Sequence, residues 1–369
     1  MRGAGGLASV GAIVLVVLVA RACAKESSNG VKTAREQPLA LVHFLGRFDT
    51  RQEGARFSWP GSGIAASFEG TGVDVTLEDT GADFFSIVVD GGAPGTLATS
   101  RGTGTYSLAS GLAGGRHSIV LTKRTESFVG VARYLGLTVH AGAPVPSPDP
   151  FSRRIEYVGD SITCGYGDLG ADATCGFSPQ TEDETRAYGA LVAADLHAQQ
   201  TVVAYSGVGL MRNRDGSTRD LMPVRFERAL ADEPTSRWTF EGPPPDVVVI
   251  GLGTNDFAMG DPGTGFVEAY VAFIRKVRGQ YASAQIVCTL GPMLRDSPPP
   301  GTMSRTQAGV YIEEAVKEAR AAGDARVRYL AFDEQQARDG YGCDWHPSLA
   351  THRLMAAKLG ALVREITGW

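Results

Sequence analysis

The chain has 369 residues, 43% of them hydrophobic, and a formal net charge of −5. The hydrophobic content excludes an intrinsically disordered chain, and the length is sufficient for two domains. The mild charge without a basic stripe excludes nucleic acid as a partner, and no polybasic patch indicates binding to a lipid surface.

Residues 1–24 have the pattern of an export segment. Arg2 precedes an apolar run over residues 7–20, which is short for a membrane span and typical of a secretory signal. Cleavage after a small-x-small pattern, lipidation at Cys23 and an uncleaved anchor are three alternatives that the residues leave open. All three predict an extracytoplasmic protein: secreted, periplasmic, or attached to a membrane through its N-terminus only. Residues 25–38 are polar, which predicts a flexible tether.

Residues 39–143 have an all-β pattern. Short runs of β-forming residues, several of them alternating, are separated by Gly, Pro and Asp, and they lie at residues 57–59, 64–68, 73–77, 85–89 and 118–121. This spacing predicts a β-sandwich of the jelly-roll type. Four prolines then fall within seven residues, so residues 144–153 are predicted to form a stiff linker between two domains.

Residues 154–369 alternate between strand and helix patterns. The predicted strands are residues 155–158, 201–205, 246–252, 285–290 and 327–332. The predicted helices are residues 185–198, 265–278, 304–322 and 348–366. Such alternation predicts an α/β domain with a five-stranded parallel sheet, whose functional crevice lies beyond the carboxyl ends of the strands.

Ser161 and His346 are the predicted nucleophile and base. Ser161 lies in a Gly-Asp-Ser turn directly after the first of these strands, where a helix cap is the structural alternative. A serine hydroxyl needs a base to take its proton, and His346 lies at the entrance of the last helix, where it can face the crevice. Asp344 is predicted to accept the other imidazole N–H and so to fix the tautomer of His346.

Gly207, Asn255 and the backbone N–H of Ser161 are the predicted oxyanion donors. Each of the first two follows a predicted strand, and each alone is more typical of a turn residue. Their occurrence together with Ser161 and His346, all at strand ends or in loops beyond them, is what indicates an acyl-transfer site. Trp345 and Asp160 are predicted to contact substrate; for Trp345 the alternative is ordinary packing.

Four cysteines follow the export segment, and an even number in an oxidising compartment predicts disulfides. Of three connectivities, the favoured one joins Cys164 to Cys175 and Cys288 to Cys343, and free buried thiols are the alternative. The spacing does not resemble a zinc site, so neither a metal nor another cofactor is predicted.

The four motifs resemble the blocks of the SGNH, or GDSL-like, superfamily of serine hydrolases. The stretches that carry the resemblance are Gly159-Asp160-Ser161, Gly207, Gly253-Thr254-Asn255-Asp256 and Asp344-Trp345-His346. Their surroundings, from Gly159 to Gly167 and from Asp344 to Ser348, are similar to those of family 2 carbohydrate esterases, the acetyl xylan esterase type. Stretches of residues 46–49, 57–59 and 88–91 are similar to the jelly-roll domain of that family.

The resemblance implies a three-layer α/β/α domain preceded by a jelly roll, and a metal-free esterase that removes acetyl groups from polysaccharides such as xylan or mannan. Cys343 stands where the wider superfamily has its acid, whereas Asp344 stands at the spacing of the carbohydrate esterases. Some members of that family lack the carboxylate, and a backbone carbonyl orients the imidazole instead. Two alternatives remain: an esterase or lipase acting on another acyl ester, and a glycan-binding protein.

Overall fold

The computed structural model describes residues 41–369 except 52, 148, 150 and 298–302. The predictions for residues 1–38, which include the export segment, the tether and lipidation at Cys23, lie outside the described residues. Across the described part of the chain, no helix is both long and apolar enough to cross a membrane.

The N-terminal half forms two antiparallel sheets that pack face to face. One has the strand order β1-β3-β8-β5-β6, with β10 also paired to β3, and the other has the order β2-β9-β4-β7. Alternate side chains of both sheets, such as Phe68 and Val75, form a shared apolar core. The strands are β1 Val42–Leu45, β2 Ala55–Phe57, β3 Gly63–Gly70, β4 Gly72–Asp79, β5 Phe84–Val89, β6 Gly95–Ala98, β7 Gly102–Ala109, β8 Gly115–Lys123, β9 Ala132–His140 and β10 Ala143–Val145.

The C-terminal half is built on a five-stranded parallel sheet with the order β12-β11-β13-β14-β15. Its strands are β11 Arg153–Gly159, β12 Ala198–Ala204, β13 Val247–Gly251, β14 Gln285–Leu290 and β15 Val327–Ala331. β13 is central and its residues 247–250 are all buried, as expected for a strand that is covered on both faces.

Helices cover both faces of this sheet. Side chains that alternate along the strands, such as Val248 and Val249, enter two different apolar clusters on opposite faces. One cluster contains residues of α4 and α5, and the other contains residues of α2 and α6. The helices are α1 Ser161–Cys164, α2 Tyr188–Asp195, α3 Met222–Arg225, α4 Gly265–Gln280, α5 Ser304–Ala321 and α6 Leu349–Thr367. The predicted α/β fold with three layers, preceded by a β-sandwich, is confirmed.

Buried ionic contacts join the two halves. Arg47, which follows β1, is 0% exposed and donates to Glu156 of β11 at 3.1 Å. Arg124, which follows β8, pairs with Asp183 of the C-terminal half at 3.2 Å. A buried charge is costly unless it is paired, so these contacts fix the position of the β-sandwich against the parallel sheet.

Candidate active site

The segment of residues 159–165, which we call the nucleophile turn, connects β11 to α1. A Cβ on Gly159 would lie 2.0 Å from the hydroxyl oxygen of Thr163, so only glycine allows the chain to turn this tightly. Asp160 caps α1 by accepting from the backbone N of Ile162 at 3.0 Å. Ser161 is therefore the first residue of a short helix at the carboxyl end of β11, and it is 7% exposed.

The structure brings Ser161 and His346 together from segments far apart in the chain. The Nε2 atom of His346 lies 2.8 Å from the Oγ atom of Ser161. The other ring nitrogen, Nδ1, lies 3.1 Å from the carbonyl oxygen of Cys343. A carbonyl oxygen only accepts, so Nδ1 carries the proton and Nε2 is free to accept the hydroxyl proton of Ser161.

The prediction that the Asp344 carboxylate orients the imidazole is wrong. Its Oδ2 atom instead accepts from the hydroxyl of Tyr166 at 2.7 Å, and the Cys343 carbonyl takes the position beside Nδ1. Asp344 has a positive φ of 51°, which is uncommon for a residue other than glycine. The backbone carbonyl that the family resemblance allows is the orienting group in this chain.

The segment of residues 341–348, which we call the base turn, is held by contacts with distant residues. Cys343 forms a disulfide with Cys175, and the backbone N atoms of Cys343 and Asp344 donate to Gly167 O and Cys175 O, both at 2.9 Å. The Nε2 atom of Gln335 donates to the Trp345 carbonyl at 2.7 Å. These bonds fix the base turn although it contains no long helix or strand.

The predicted disulfide pairing is wrong. Cys175 pairs with Cys343, while Cys164 and Cys288 are free and buried. Cys288 lies on the central part of the parallel sheet and faces the layer of α4 and α5, and Cys164 lies in the layer of α2 and α6. The two free thiols therefore pack on opposite faces of the sheet, whereas Cys175 meets Cys343 of the base turn, and sequence spacing does not reveal this arrangement.

Gly207 lies beyond the carboxyl end of β12, in a loop with a defined backbone. Its φ of +75° is in the region that glycine adopts readily, and its carbonyl accepts from the backbone N of Arg214 at 2.9 Å. The buried Asp256 carboxylate accepts three consecutive backbone N–H groups of the same loop, those of Leu210, Met211 and Arg212, at 2.8–3.1 Å. Asp256 therefore builds the loop that carries Gly207.

Asn255 and Asp160 are both buried, and their side chains lie next to each other. The Nδ2 atom of Asn255 donates to Val208 O at 3.0 Å and lies 3.4 Å from Oδ2 of Asp160. Asp160 is 1% exposed and its carboxylate is occupied by the cap of α1. Asp160 therefore supports the helix that carries Ser161 and lies beside Asn255, and its contact with substrate stays a prediction.

Trp345 is exposed beside the candidate base. Its side chain is 56% exposed, and its ring centroid lies 5.1 Å from that of Tyr341. Its φ of +63° is uncommon for a bulky residue. The structure therefore leaves the indole open to a ligand at the edge of the site.

Tyr166 is a site residue to which the sequence reasoning assigned no role. Its ring stacks on the imidazole of His346, with a centroid distance of 4.1 Å, while its hydroxyl holds Asp344. Further rings continue from Tyr166 to Phe177 at 4.9 Å and from Phe177 to Phe128 of the β-sandwich at 5.1 Å. The only sequence signal for Tyr166 was its place in the motif that contains Ser161.

The charges around the site are shifted by burial. Burial lowers the pKa of His346 to about 4, partly offset by the Cys343 and Asp344 carbonyls and by the charge of Asp344. The imidazole is therefore neutral at pH 7 and can act as a proton acceptor. Burial raises the pKa of Asp160 to about 7, and the charges of Asp256 and Glu126 act in the same direction.

The described residues contain no group of three or more His, Cys, Asp or Glu side chains that could hold a metal ion. The arrangement is that of a serine hydroxyl, a neutral imidazole and buried polar groups at the carboxyl edge of a parallel sheet. Such a set can carry out acyl transfer.

Comparison with known proteins identifies the family of this site. Residues 157–354 match the model of the GDSL-like lipase/acylhydrolase family, and residues 44–148 match the model of the carbohydrate esterase 2 N-terminal region. A solved structure of a family two carbohydrate esterase from Clostridium thermocellum, in complex with cellohexaose, has a TM-score of 0.84 and 38% sequence identity to this chain. The match covers 89% of this chain and 99% of that one. The chain belongs to the family 2 carbohydrate esterases.

Two curated relatives bear the names of esterases, and one of the two names includes a carbohydrate deacetylase. The cellulase/esterase CelE of Acetivibrio thermocellus is 39% identical over 89% of this chain, but the match spans only 40% of that protein's length. An acetylxylan esterase/glucomannan deacetylase of Cellvibrio japonicus is 29% identical, and the match covers 74% of this chain and 76% of that protein. The resemblance to family 2 carbohydrate esterases, and with it the assignment to the carboxylic ester hydrolases, is confirmed.

Proposed function

We propose that this family 2 carbohydrate esterase is an exported serine esterase that removes O-acetyl groups from polysaccharides of the xylan and mannan type. The observation that carries the proposal is the 2.8 Å contact between Ser161 Oγ and His346 Nε2, with Nδ1 held by the Cys343 carbonyl. This geometry gives the hydroxyl a base in the correct tautomer.

The reaction begins when Ser161 Oγ attacks the acetyl carbonyl carbon and its proton passes to Nε2 of His346. The backbone N–H groups of Ser161 and Gly207 stabilise the tetrahedral oxyanion. The side-chain amide of Asn255 joins them by exchanging its 3.4 Å contact with Asp160 Oδ2 for a hydrogen bond to the oxyanion. The bond to the sugar oxygen then breaks, and His346 returns the proton to that oxygen. Water, deprotonated by His346, attacks the acetyl-serine and releases acetate, after which Ser161 regains its proton.

A carbohydrate substrate is supported by the aromatic groups around the dyad and by the relatives. Trp345 is exposed beside His346, and Phe128 of the β-sandwich, 45% exposed, extends the ring series that begins at Tyr166. Exposed rings stack on the apolar faces of sugars. The names of the relatives include acetylxylan esterase and glucomannan deacetylase.

An extracytoplasmic location is supported by the Cys175–Cys343 disulfide at the base turn, because such bonds form and persist in oxidising compartments. The apolar run of residues 7–20 points in the same direction. Fractionation of the native host, with detection of the protein by antibody, tests the location, and palmitate labelling of wild type and Cys23→Ala tests lipidation.

The deciding experiment measures acetate release from acetylated xylan, acetylated glucomannan and 4-nitrophenyl acetate by wild type and Ser161→Ala. Release by the wild type alone is expected for all three substrates. Equal release by both proteins would refute the serine mechanism. A series of 4-nitrophenyl esters from acetate to decanoate separates this function from that of a lipase, because a preference for long chains would contradict an acetylesterase.

A further inference from the structure

Glu126 connects the β-sandwich to the loop that carries Gly207. It lies between β8 and β9 and its side chain is completely buried. Its Oε2 atom accepts from the backbone N of Ser206 at 2.7 Å, and its Oε1 atom accepts from the hydroxyl of the same serine. One carboxylate therefore holds both the backbone and the side chain of the residue directly before Gly207.

The direction of the Gly207 N–H depends on how the Ser206–Gly207 peptide is oriented. This peptide is planar, so its orientation is set by the backbone angles of the two residues that it joins. Gly207 has a φ of +75° and no side chain to restrict it, so restraint must come from its neighbours. Glu126 restrains the residue before Gly207, and the hydrogen bond from Arg214 N to Gly207 O restrains the carbonyl of Gly207 itself.

Glu126 is itself held in a fixed position. The buried ammonium of Lys123 pairs with Asp83 at 2.7 Å and donates to the Thr125 and Glu126 carbonyls at 2.8 and 3.0 Å. The hydroxyl of Ser127 donates to the Ser58 carbonyl at 3.0 Å. Residues 123–127 are therefore anchored to the β-sandwich by these bonds, so the Glu126 carboxylate can hold Ser206 in a defined position.

The Glu126 carboxylate is also paired with a second buried acid, Glu182. The backbone N of Glu126 donates to Oε2 of Glu182 at 2.9 Å, and both side chains are completely buried. Burial raises the pKa of both groups, and Oε1 of Glu182 has no donor among the described residues. Glu126 thus accepts from Ser206 through its side chain while its own backbone N–H donates to Glu182.

We propose that Glu126 is a positioning residue of the oxyanion hole. Its two hydrogen bonds from Ser206, which we call the clamp, direct the N–H of Gly207 toward the oxygen that becomes negative in the transition state. The inference rests on the proposed serine esterase function. It makes the β-sandwich a part of the catalytic machinery, because that domain supplies the carboxylate on which one donor of the parallel-sheet domain depends.

The experiment compares full-length wild type, Glu126→Ala and Glu126→Gln on 4-nitrophenyl acetate. Loss of the clamp in Glu126→Ala is expected to lower kcat per folded molecule about 10- to 100-fold with KM within about 2-fold, because misdirecting one donor weakens only transition-state binding. Glu126→Gln keeps an acceptor oxygen at the same place and is expected to restore most of kcat.

Phenylboronic acid gives a second readout, because it forms a tetrahedral anion on serine and so probes the oxyanion hole. Its Ki is expected to rise in Glu126→Ala by about the same factor as kcat falls. Glu156→Ala is the matched control: it removes another buried carboxyl that joins the two domains, through Arg47, without contact to the Gly207 loop. It is expected to lower stability but not kcat per folded molecule or the boronate Ki.

Unchanged kcat and Ki in Glu126→Ala, or equal losses in the Glu156→Ala control, would overturn the inference. If Glu126→Ala does not fold, Ser206→Ala removes the hydroxyl contact alone and is expected to lower kcat about 3- to 10-fold at constant KM. An unchanged kcat in Ser206→Ala would also overturn the inference. A wild type that releases no acetate refutes the proposed function instead, and crystal structures of wild type and Ser206→Ala then decide the inference: an unmoved Ser206–Gly207 peptide rejects it.

Discussion

The nucleophile turn and the base turn meet at a single hydrogen bond, but they are held in different ways. The nucleophile turn follows from local structure: a strand end, a close-packed Gly159 and the Asp160 cap place Ser161. The base turn has two residues with positive φ, Asp344 and Trp345, and depends on a disulfide and on bonds to distant residues. The position of Ser161 is therefore set by short-range packing, whereas the position of His346 is set by cross-links to distant residues.

Removal of the base should have the largest effect, because His346 is the group among the described residues that forms a hydrogen bond with the Ser161 hydroxyl. We expect His346→Ala to lower kcat/KM for 4-nitrophenyl acetate by at least about 10³-fold. His140→Ala, which removes an imidazole on β9 of the β-sandwich, is the control and should retain activity. A His346→Ala enzyme within tenfold of wild type would mean that the two turns do not act as a dyad.

Removal of the cross-link should affect the base turn and leave the nucleophile turn intact. We expect Cys175→Ser/Cys343→Ser to lower the free energy of unfolding by about 2–4 kcal/mol, because the loop constraint is lost. Its kcat should fall about 10- to 100-fold, since small displacements of a catalytic group are costly. Urea unfolding and acetate release measure the two effects.

The control for the cross-link is Cys288→Ala, which removes a buried thiol that has no disulfide partner. It should keep kcat per folded molecule. If the serine double variant did the same, the disulfide would contribute only to stability and the base turn would be as locally determined as the nucleophile turn.

The exposed indole tests whether the base turn also binds substrate. We expect Trp345→Ala to raise KM for acetylated xylan about 3- to 10-fold while KM for 4-nitrophenyl acetate changes little, because a stacking contact is lost only for the polysaccharide. Leu354→Ala on α6, 57% exposed compared with 56% for Trp345, is the control for loss of an exposed apolar side chain. An equal rise of KM for both substrates would indicate a disturbed base turn.

The smallest effect is expected for Asp344→Asn, because the Cys343 carbonyl and not this carboxylate orients the imidazole. We expect a loss of kcat of only about 2- to 5-fold, far below the ~10⁴-fold loss that follows when a carboxylate is the orienting group of a triad. A loss approaching 10⁴-fold would show that the carboxylate reaches the imidazole during catalysis.

The pH profile of kcat/KM sharpens this comparison. His346 must be neutral to accept a proton, and burial lowers its pKa to about 4, so activity should fall as the pH drops through about 4. The negative charge of Asp344 raises the pKa of His346, so its loss in Asp344→Asn should move this acid limb to lower pH. An acid limb of kcat/KM centred near the ordinary pKa of histidine would mean that His346 is more solvated than the structure indicates.

The strands of the parallel sheet were the most predictable part of the fold. The predicted strand at residues 285–290 coincides with β14, and the predicted last helix differs from α6 by one residue at each end. The predicted helix at residues 185–198 was too long, because α2 ends at Asp195 and β12 begins at Ala198. The polar residues Gln199 and Gln200 hid the beginning of this strand, which was predicted at residues 201–205 and which lies at the edge of the sheet, paired only with β11.

The β-sandwich was less predictable. Runs near β2, β3, β4, β5 and β8 were recognised, whereas β7, rich in Gly and Thr and largely exposed, carries no apolar alternation. β7 is an edge strand whose hydrogen bonds to β4 define it. Its conformation therefore depends on a partner and not on the burial pattern that sequence analysis reads.

The sequence by itself determined that Ser161, Gly207 and Asn255 follow strands of one parallel sheet, and that His346 precedes the last helix. Strand ends share an edge whenever the strands are parallel, so local patterns were enough for this. Only the tertiary structure decided the partner of Cys343, the carbonyl that orients His346, the burial of Asp160 and the clamp from Glu126 to Ser206. These contacts join segments up to 168 residues apart in sequence, and their geometry arises when the layers pack.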